Sequence, residues 1–306
     1  MMSCKTSNSH VQEIGNVLSD PSRPLKERFR ALFTLKNIGG KQAIDCISNN
    51  FSDSSALLKH ELAYCLGQMV NPYAVPKLVE VLENTEQEPM VRHEAGEALG
   101  AIGCVDAVPI LEKYKNDSVI EVAETCQLAL ERIKWLQSED KEREKLSENP
   151  YFSTDPAPPS TNMDINNLKT QLLDEKSTLF HRYRAMFSLR NIGTTEAVQA
   201  LAQGLKCSSA LFRHEIAYVL GQMQHEACVQ ELKENLCDEK ENPMVRHECA
   251  EALGAIATEE CTKILEQYLQ DKERVVKESC VVALDMSEYE QSKEFQYADS
   301  LTKINS

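Results

Sequence analysis

RFRALFTLKNIG at residues 28–39 returns as RYRAMFSLRNIG at residues 182–193, and PMVRHE at 89–94 returns unchanged at 243–248. Residues 28–103 align without a gap onto residues 182–257, each counterpart lying 154 positions later. The chain is an internal duplication, and the gapless register implies one backbone used twice. A finer period runs inside each half. Leu35, Leu66, Leu99 and Leu130 hold one position, and Leu189, Leu220, Leu253 and Leu284 hold it again at the same intervals of 31, 33 and 31 residues. Apolar residues flank each marker at helical spacing, as in Leu62, Ala63, Leu66 and Met69. Upstream of each marked helix there is room for a partner, for example residues 73–83 before Arg92. Strand signals are missing. The expected fold is all-α, an α-solenoid of eight HEAT-like helical hairpins in two duplicated halves of four. In such a stack each repeat buries its apolar face on its neighbours.

Composition sets the outer limits. Residues 10–136 form the expected first half and residues 168–287 the second. The stretch between them, 137–167, is charged and then rich in Pro, Ser, Thr and Asp, as in NPYFSTDPAPPSTN, and reads as a linker. Residues up to about Ser9 and beyond Ser287 read as frayed ends. A net charge of -15 argues against direct nucleic-acid binding, which needs a basic footprint. It suits a cationic partner as well as plain solubility. Eleven cysteines are scattered with no C-x-x-C pair, so no metal or disulfide role follows for them. No basic-then-apolar leader and no membrane-length apolar run is visible, so a cytoplasmic, reduced protein is expected.

Four of the seven histidines stand directly before a glutamate: His60-Glu61, His93-Glu94, His214-Glu215 and His247-Glu248. Each histidine lies six residues before its marker leucine. At about 100° per residue, His60 and Glu61 sit about 120° and 140° from the Leu66 direction, one on each side of the helix. Neither belongs to the apolar stripe. A single pair would pass as a helix-start feature, with glutamate favouring the helix dipole. Duplication explains why the second half copies the first, but not why two repeats within a half both carry the pair. The flanking repeats carry Phe29-Arg30, Glu124-Thr125, Tyr183-Arg184 and Glu278-Ser279 at that place. The pairs therefore point to a site.

Neighbouring solenoid helices lie about 8–10 Å apart, close enough for imidazoles on adjacent repeats to converge on one ion. Two imidazoles with a carboxylate and open positions suit non-haem iron and oxygen chemistry. Zinc with two histidines and a glutamate is the competing set, for hydrolysis. If the two halves face each other across the linker, the half-sites can form a dinuclear centre. Gly67 and Gly221 lie almost directly above His60 and His214, as Gly100 and Gly254 do above His93 and His247. They either clear space for a thin substrate or allow close helix packing. Glu97 and Glu251 share the histidine face and could support the imidazoles or hold a cation in the substrate. Met90 and Met244 are either core or pocket wall.

Four His-Glu pairs in a duplicated HEAT-type chain, followed by LGQM and EALGAI and with DPAPP between the halves, resemble the deoxyhypusine hydroxylase family. The resemblance spans residues 25–285. It implies an all-helical di-iron monooxygenase that uses O2 and an external reductant to hydroxylate the deoxyhypusine side chain. The target it implies is eukaryotic translation initiation factor five-A, with the enzyme working as a monomer. By that resemblance the eight residues of the pairs form the metal site. His60, His93 and Glu94 are expected on one Fe2+, and His214, His247 and Glu248 on the other. Glu61 and Glu215 are then expected to bind the substrate amine, with Gly67, Gly221, Met90 and Met244 as further substrate contacts. A noncatalytic HEAT scaffold, a bilin-attaching HEAT lyase and a zinc hydrolase are the alternatives.

Overall fold

The computed structural model describes residues 8–294 and 297–298, and among these the regular structure is helical throughout. The first half contains α1 (Asn8–Ser19), α2 (Leu25–Ile38), α3 (Gly40–Ser48), α4 (Ala56–Gln68), α5 (Val75–Glu83), α6 (Pro89–Ile102), α7 (Val108–Tyr114) and α8 (Ile120–Gln137). A short α9 (Asp140–Arg143) follows. The second half contains α10 (Ile165–Leu173), α11 (Leu179–Ile192), α12 (Thr195–Ala202), α13 (Ala210–Met223), α14 (Val229–Cys237), α15 (Pro243–Ile256), α16 (Glu259–Gln267) and α17 (Arg274–Glu290). Shorter and longer helices alternate, and the longer ones stack side by side, α4 on α6 on α8 and α13 on α15 on α17. Each shorter helix packs on its longer partner, giving a core for each half, with Leu211, Met244 and Val282 reaching into the first half's core and Leu128 into the second's.

A repeated arginine in alternate hairpins ties the two helices of its own hairpin together. Arg28, Arg92, Arg182 and Arg246 donate Nε–H to the carbonyls of Leu18, Leu82, Leu172 and Leu236, at 2.8–3.0 Å. Those carbonyls lie in the last turns of α1, α5, α10 and α14, where intrahelical donors run out. Three of the four also pair with an aspartate: Arg28 with Asp53, Arg92 with Asp117 and Arg246 with Asp271. Each aspartate in turn accepts a backbone N–H two residues on, from Ser55, Val119 and Glu273. One buried side chain thus joins a helix end, its own helix and the following loop.

The halves close on each other. The last helix, α17, packs on α2 and α4, and α8 packs on α11 and α13. Ser55 caps α4 by accepting the Leu58 N–H at 3.0 Å, and its hydroxyl donates to Glu278 across the junction at 2.6 Å. Its counterpart Ser209 caps α13 through Phe212 N–H at 3.1 Å and donates to Glu124 at 2.7 Å. Counterpart residues make counterpart bonds, so the two junctions are related by an approximate twofold axis.

The proline-rich stretch joins the halves, yet it is packed rather than free. Asp155 to Pro159 are all buried. Arg190 holds both Asp155 carboxylate oxygens, at 2.9 and 2.7 Å. Gln68 accepts from Thr154 N–H and donates to its carbonyl, and Arg184 donates to Glu144 and to the Pro159 carbonyl. Composition reported low helix propensity here and could not report these partners. At the far end, α17 continues past Ser287 to Glu290, and Glu294 accepts from Arg30 at 3.3 Å. The Tyr297 ring lies under the same guanidinium, 4.6 Å away. These residues are docked, contrary to the expectation of a frayed end. At the start, α1 already begins at Asn8, while residues 1–7, like 299–306, lie outside the described residues.

The four glycines are sites of close helix approach. A methyl group on Gly67 would lie 2.8 Å from Ala98 Cα, and one on Gly100 2.9 Å from Ala129 Cα. On Gly221 it would meet Ala252 Cα at 3.0 Å, and on Gly254 the Ala283 carbonyl at 2.5 Å. The space above His60 is therefore filled by the next helix. Met90 and Met244 are 8% and 5% exposed and sit in the core.

Two stability predictions follow from this packing. Asp117→Ala strands the Arg92 guanidinium, which is 3% exposed, and should lower the unfolding free energy at neutral pH by about 3 kcal/mol in chemical denaturation. Burial pushes the Asp117 carboxyl up, but the Arg92 hydrogen bond, the Val119 N–H and the Arg92 charge together outweigh it and leave the carboxyl below its ordinary 3.8. Stability from such a depressed group is present above 3.8 and lost as pH falls through the folded value. The gap between wild type and variant should therefore shrink below that pH. Gly254→Val should cost about 1–3 kcal/mol by forcing α15 from α17, read as a lower thermal midpoint.

Candidate metal centre

The inner helices α4, α6, α13 and α15 carry the four His-Glu pairs to the surface between the halves. The pairs lie off the apolar stripe of their own helices, as their phase requires, and the opposite half covers them. All eight residues are buried, His93 and His247 completely. Pro89 and Pro243 open α6 and α15, where a missing N–H costs nothing, and so fix the first turn just before His93 and His247.

The imidazoles from the two halves interleave. The His60 ring centroid is 5.5 Å from His93, 5.7 Å from His214 and 5.2 Å from His247. The His93 ring is 5.3 Å from His214, and the His214 ring 5.4 Å from His247. His60 Nε2 lies 3.3 Å from Glu94 Oε2, and its counterpart His214 Nε2 lies 3.3 Å from Glu248 Oε2. Glu248 Oε2 is also 3.9 Å from His247 Nε2. His60 Nδ1 is 4.0 Å from Glu61, and His247 Nδ1 is 3.6 Å from Glu251. Three groupings bring ligand atoms within 4.8 Å of one another: His60, His93 and Glu94; His247, Glu248 and Glu251; and His60, His214 and His247 across the halves.

None of the eight ring nitrogens makes a hydrogen bond, although all are buried. Oε2 of Glu97 and Oε1 of Glu215 and Glu251 are likewise buried without a hydrogen bond. A buried polar atom left unpaired is costly, and each neutral imidazole offers one lone-pair nitrogen, so this cluster calls for a group that takes up lone pairs. Burial, with the neighbouring imidazoles, holds His93 and His247 well below the ordinary histidine range and His214 down to about 3. These rings are neutral and present bare nitrogens. Burial and mutual repulsion push the Glu61, Glu94, Glu97, Glu215 and Glu248 carboxyls upward, and burial does the same to Glu251. Six carboxyls and four imidazoles gathered in one cluster have the donor set of multivalent cations.

A cavity of about 390 Å³ opens from this cluster. All six carboxylates reach it, with Gly221, and Phe29, Phe33, Val282 and Met286 form apolar wall. Gly67, Met90 and Met244 are not on its wall. Tyr64 and Tyr218, one helical turn after His60 and His214, meet hydroxyl to hydroxyl at 2.9 Å inside it. Gln222 donates to Tyr218 at 3.0 Å and accepts from Arg190 at 2.9 Å, which links the pair to Asp155. The tyrosines escaped the sequence reading, although their identity at positions 154 apart beside each first histidine was a usable signal.

The HEAT-repeat family pattern matches residues 47–131 and 198–285, and a shorter match to the PBS lyase HEAT-like repeat covers residues 182–207. The chain is 63% identical to the deoxyhypusine hydroxylase of Drosophila pseudoobscura pseudoobscura over 300 residues, covering 98% of each protein. It is 59% identical to the Homo sapiens enzyme of the same name, covering 96% of each. The structure of human deoxyhypusine hydroxylase in complex with glycerol superposes with a TM-score of 0.89 at 60% identity, covering 92% of this chain and 97% of that one. With such identity along its whole length, the chain belongs to the deoxyhypusine hydroxylase family.

Proposed function

We propose that the chain is a di-iron, O2-dependent monooxygenase that converts deoxyhypusine to hypusine in eukaryotic translation initiation factor five-A. The observation that carries the metal reading is the set of eight unpartnered ring nitrogens among buried carboxylates. Hydroxylation exchanges a C–H bond for C–OH, sends the second oxygen atom of O2 to water, and consumes two electrons and two protons. Zinc has no redox chemistry and cannot serve that balance. Two ferrous ions held here would supply those electrons, with an external reductant to restore them. His60, His93 and Glu94 would hold one ion, and His214, His247 and Glu248 the other.

The remaining work falls to the chain itself. Glu61 and Glu215 reach the cavity without belonging to those sets and bind a cationic amine of the substrate. The apolar wall, with Phe29 and Phe33, takes the aliphatic chain and excludes water from it. Burial holds the Tyr64 and Tyr218 hydroxyls well above the ordinary phenol range, so both stay protonated. One of their two protons is spent in the bond between them, and the other remains available to the cavity. The acidic chain draws in the basic target. Among the described residues no helix is long and apolar enough to cross a membrane. A cytoplasmic monomer fits these features.

Metal analysis of the purified protein should find about two irons per chain; zinc, or no metal, would sink the di-iron reading. His93→Ala should lose at least one iron and all O2-dependent conversion of deoxyhypusine to hypusine, followed by mass spectrometry of the target. Glu61→Gln and Glu215→Gln should keep iron and raise KM for the target about tenfold, whereas Glu94→Gln should lose iron. Equal iron loss in all three would put Glu61 and Glu215 among the ligands.

A further inference from the structure

The duplication makes each half a control for the other. In the first half, Glu97 on α6 lies within electrostatic reach of a cation, Arg132 on α8. That arginine is 9% exposed, and its Nε–H donates to the Gly100 carbonyl at 3.0 Å. Its charge also feels that of Asp155 in the packed connection. The counterparts 154 positions on are Glu251, Met286 and Gly254. An uncharged side chain thus stands where the first half has its guanidinium.

The second half differs in one further respect. Met286 and Ala255, the neighbour of Gly254, line the cavity, whereas their counterparts Arg132 and Ala101 do not; Glu251 lines it as Glu97 does. No lysine or arginine lines it. Glu215, 2% exposed with Oε1 unpartnered, lines it too. Each half brings two buried carboxylates and one half-buried one to the cavity, and only the first has an arginine within electrostatic reach of them. Methionine is also an apt wall for a substrate methylene chain, being unbranched and polarizable.

We propose that one of the two cationic nitrogens of the substrate side chain is seated beside Glu251 and against Met286, in the place the Arg132 guanidinium takes beside Glu97. The substrate supplies the charge that the second half lacks. This rests on the reading that deoxyhypusine enters the cavity, and it assigns the second nitrogen while Glu61 and Glu215 hold the first. Selectivity for a diamine over a monoamine side chain follows, because two separate carboxylate groups each need a positive partner.

The test uses metal-loaded protein under argon without reductant, so that binding is read without turnover. Titrations with diaminobutane and with the deoxyhypusine-bearing target are followed by calorimetry, alongside metal content and thermal midpoint. Met286→Arg installs the first half's cation. It should raise the midpoint, leave metal content unchanged, and weaken both probes about tenfold or more through like-charge repulsion. A generally damaging substitution would lower the midpoint instead. Glu251→Gln should weaken both probes while retaining metal. Wild-type affinity in Met286→Arg overturns the proposal, as does Glu251→Gln protein that loses metal yet keeps its affinity for the diamine. Ala255→Trp obstructs the cavity wall: undiminished target binding there would refute the cavity as the substrate seat, whereas lost binding with an unaffected Met286→Arg refutes the Glu251 seat alone.

Discussion

Six carboxyls and four imidazoles are crowded between two halves that must stay closed around them. Nothing in the cluster itself holds it together. Each carboxyl is pushed up, and three of the imidazoles are pushed neutral, so the cluster resists the charged states that would make mutual ion pairs. Closure has to come from its periphery. The Ser55–Glu278 and Ser209–Glu124 bonds, the Arg30–Asp285 pair and the packed proline-rich connection supply it, all outside the cluster. An interface fastened at its rim keeps a polar centre that would otherwise be relieved by opening. That arrangement suits a preorganised cation site, where reorganisation at the moment of use is avoided.

Much of this was legible in the sequence because repetition is a strong signal. A shift of 154 residues identified the halves, and leucines 31 to 33 residues apart identified helical repeats. Helix phase placed the His-Glu pairs off the apolar stripe. It could not show that they are buried, since burial here comes from the other half rather than from the helix's own neighbours. The glycines illustrate a different limit. Phase put Gly67 above His60, but only the position of Ala98 on the next helix decides whether that place is open. Composition likewise described 149–162 as loop-forming without knowing that Arg190 and Gln68 wait for it.

Strict duplication would produce a symmetric site, yet a substrate with one reacting carbon needs an asymmetric one. The symmetry is kept where ligand types matter. His60 to Glu94 and His214 to Glu248 are both 3.3 Å, and Tyr64 meets Tyr218. It is broken around them. Gln68 is engaged by Thr154 of the connection, while its counterpart Gln222 turns to Tyr218 and Arg190. Phe29 and Phe33 line the cavity, while their counterparts Tyr183 and Phe187 are fully buried away from it.

The connection between the halves explains the asymmetry. It leaves α8 and crosses α11, so it occupies only one of two equivalent faces. Its counterpart after α17 reaches Arg30 on α2 through Glu294 and Tyr297, but Met286, Val282 and Phe33 are left lining a cavity. A single chain that repeats a fold must join its copies somewhere, and the joining segment cannot obey the twofold axis. Here that unavoidable exception covers one face and leaves the other for a ligand. On the proposed reading, duplication makes the paired metal ligands and the segment joining the duplicates makes the direction of entry.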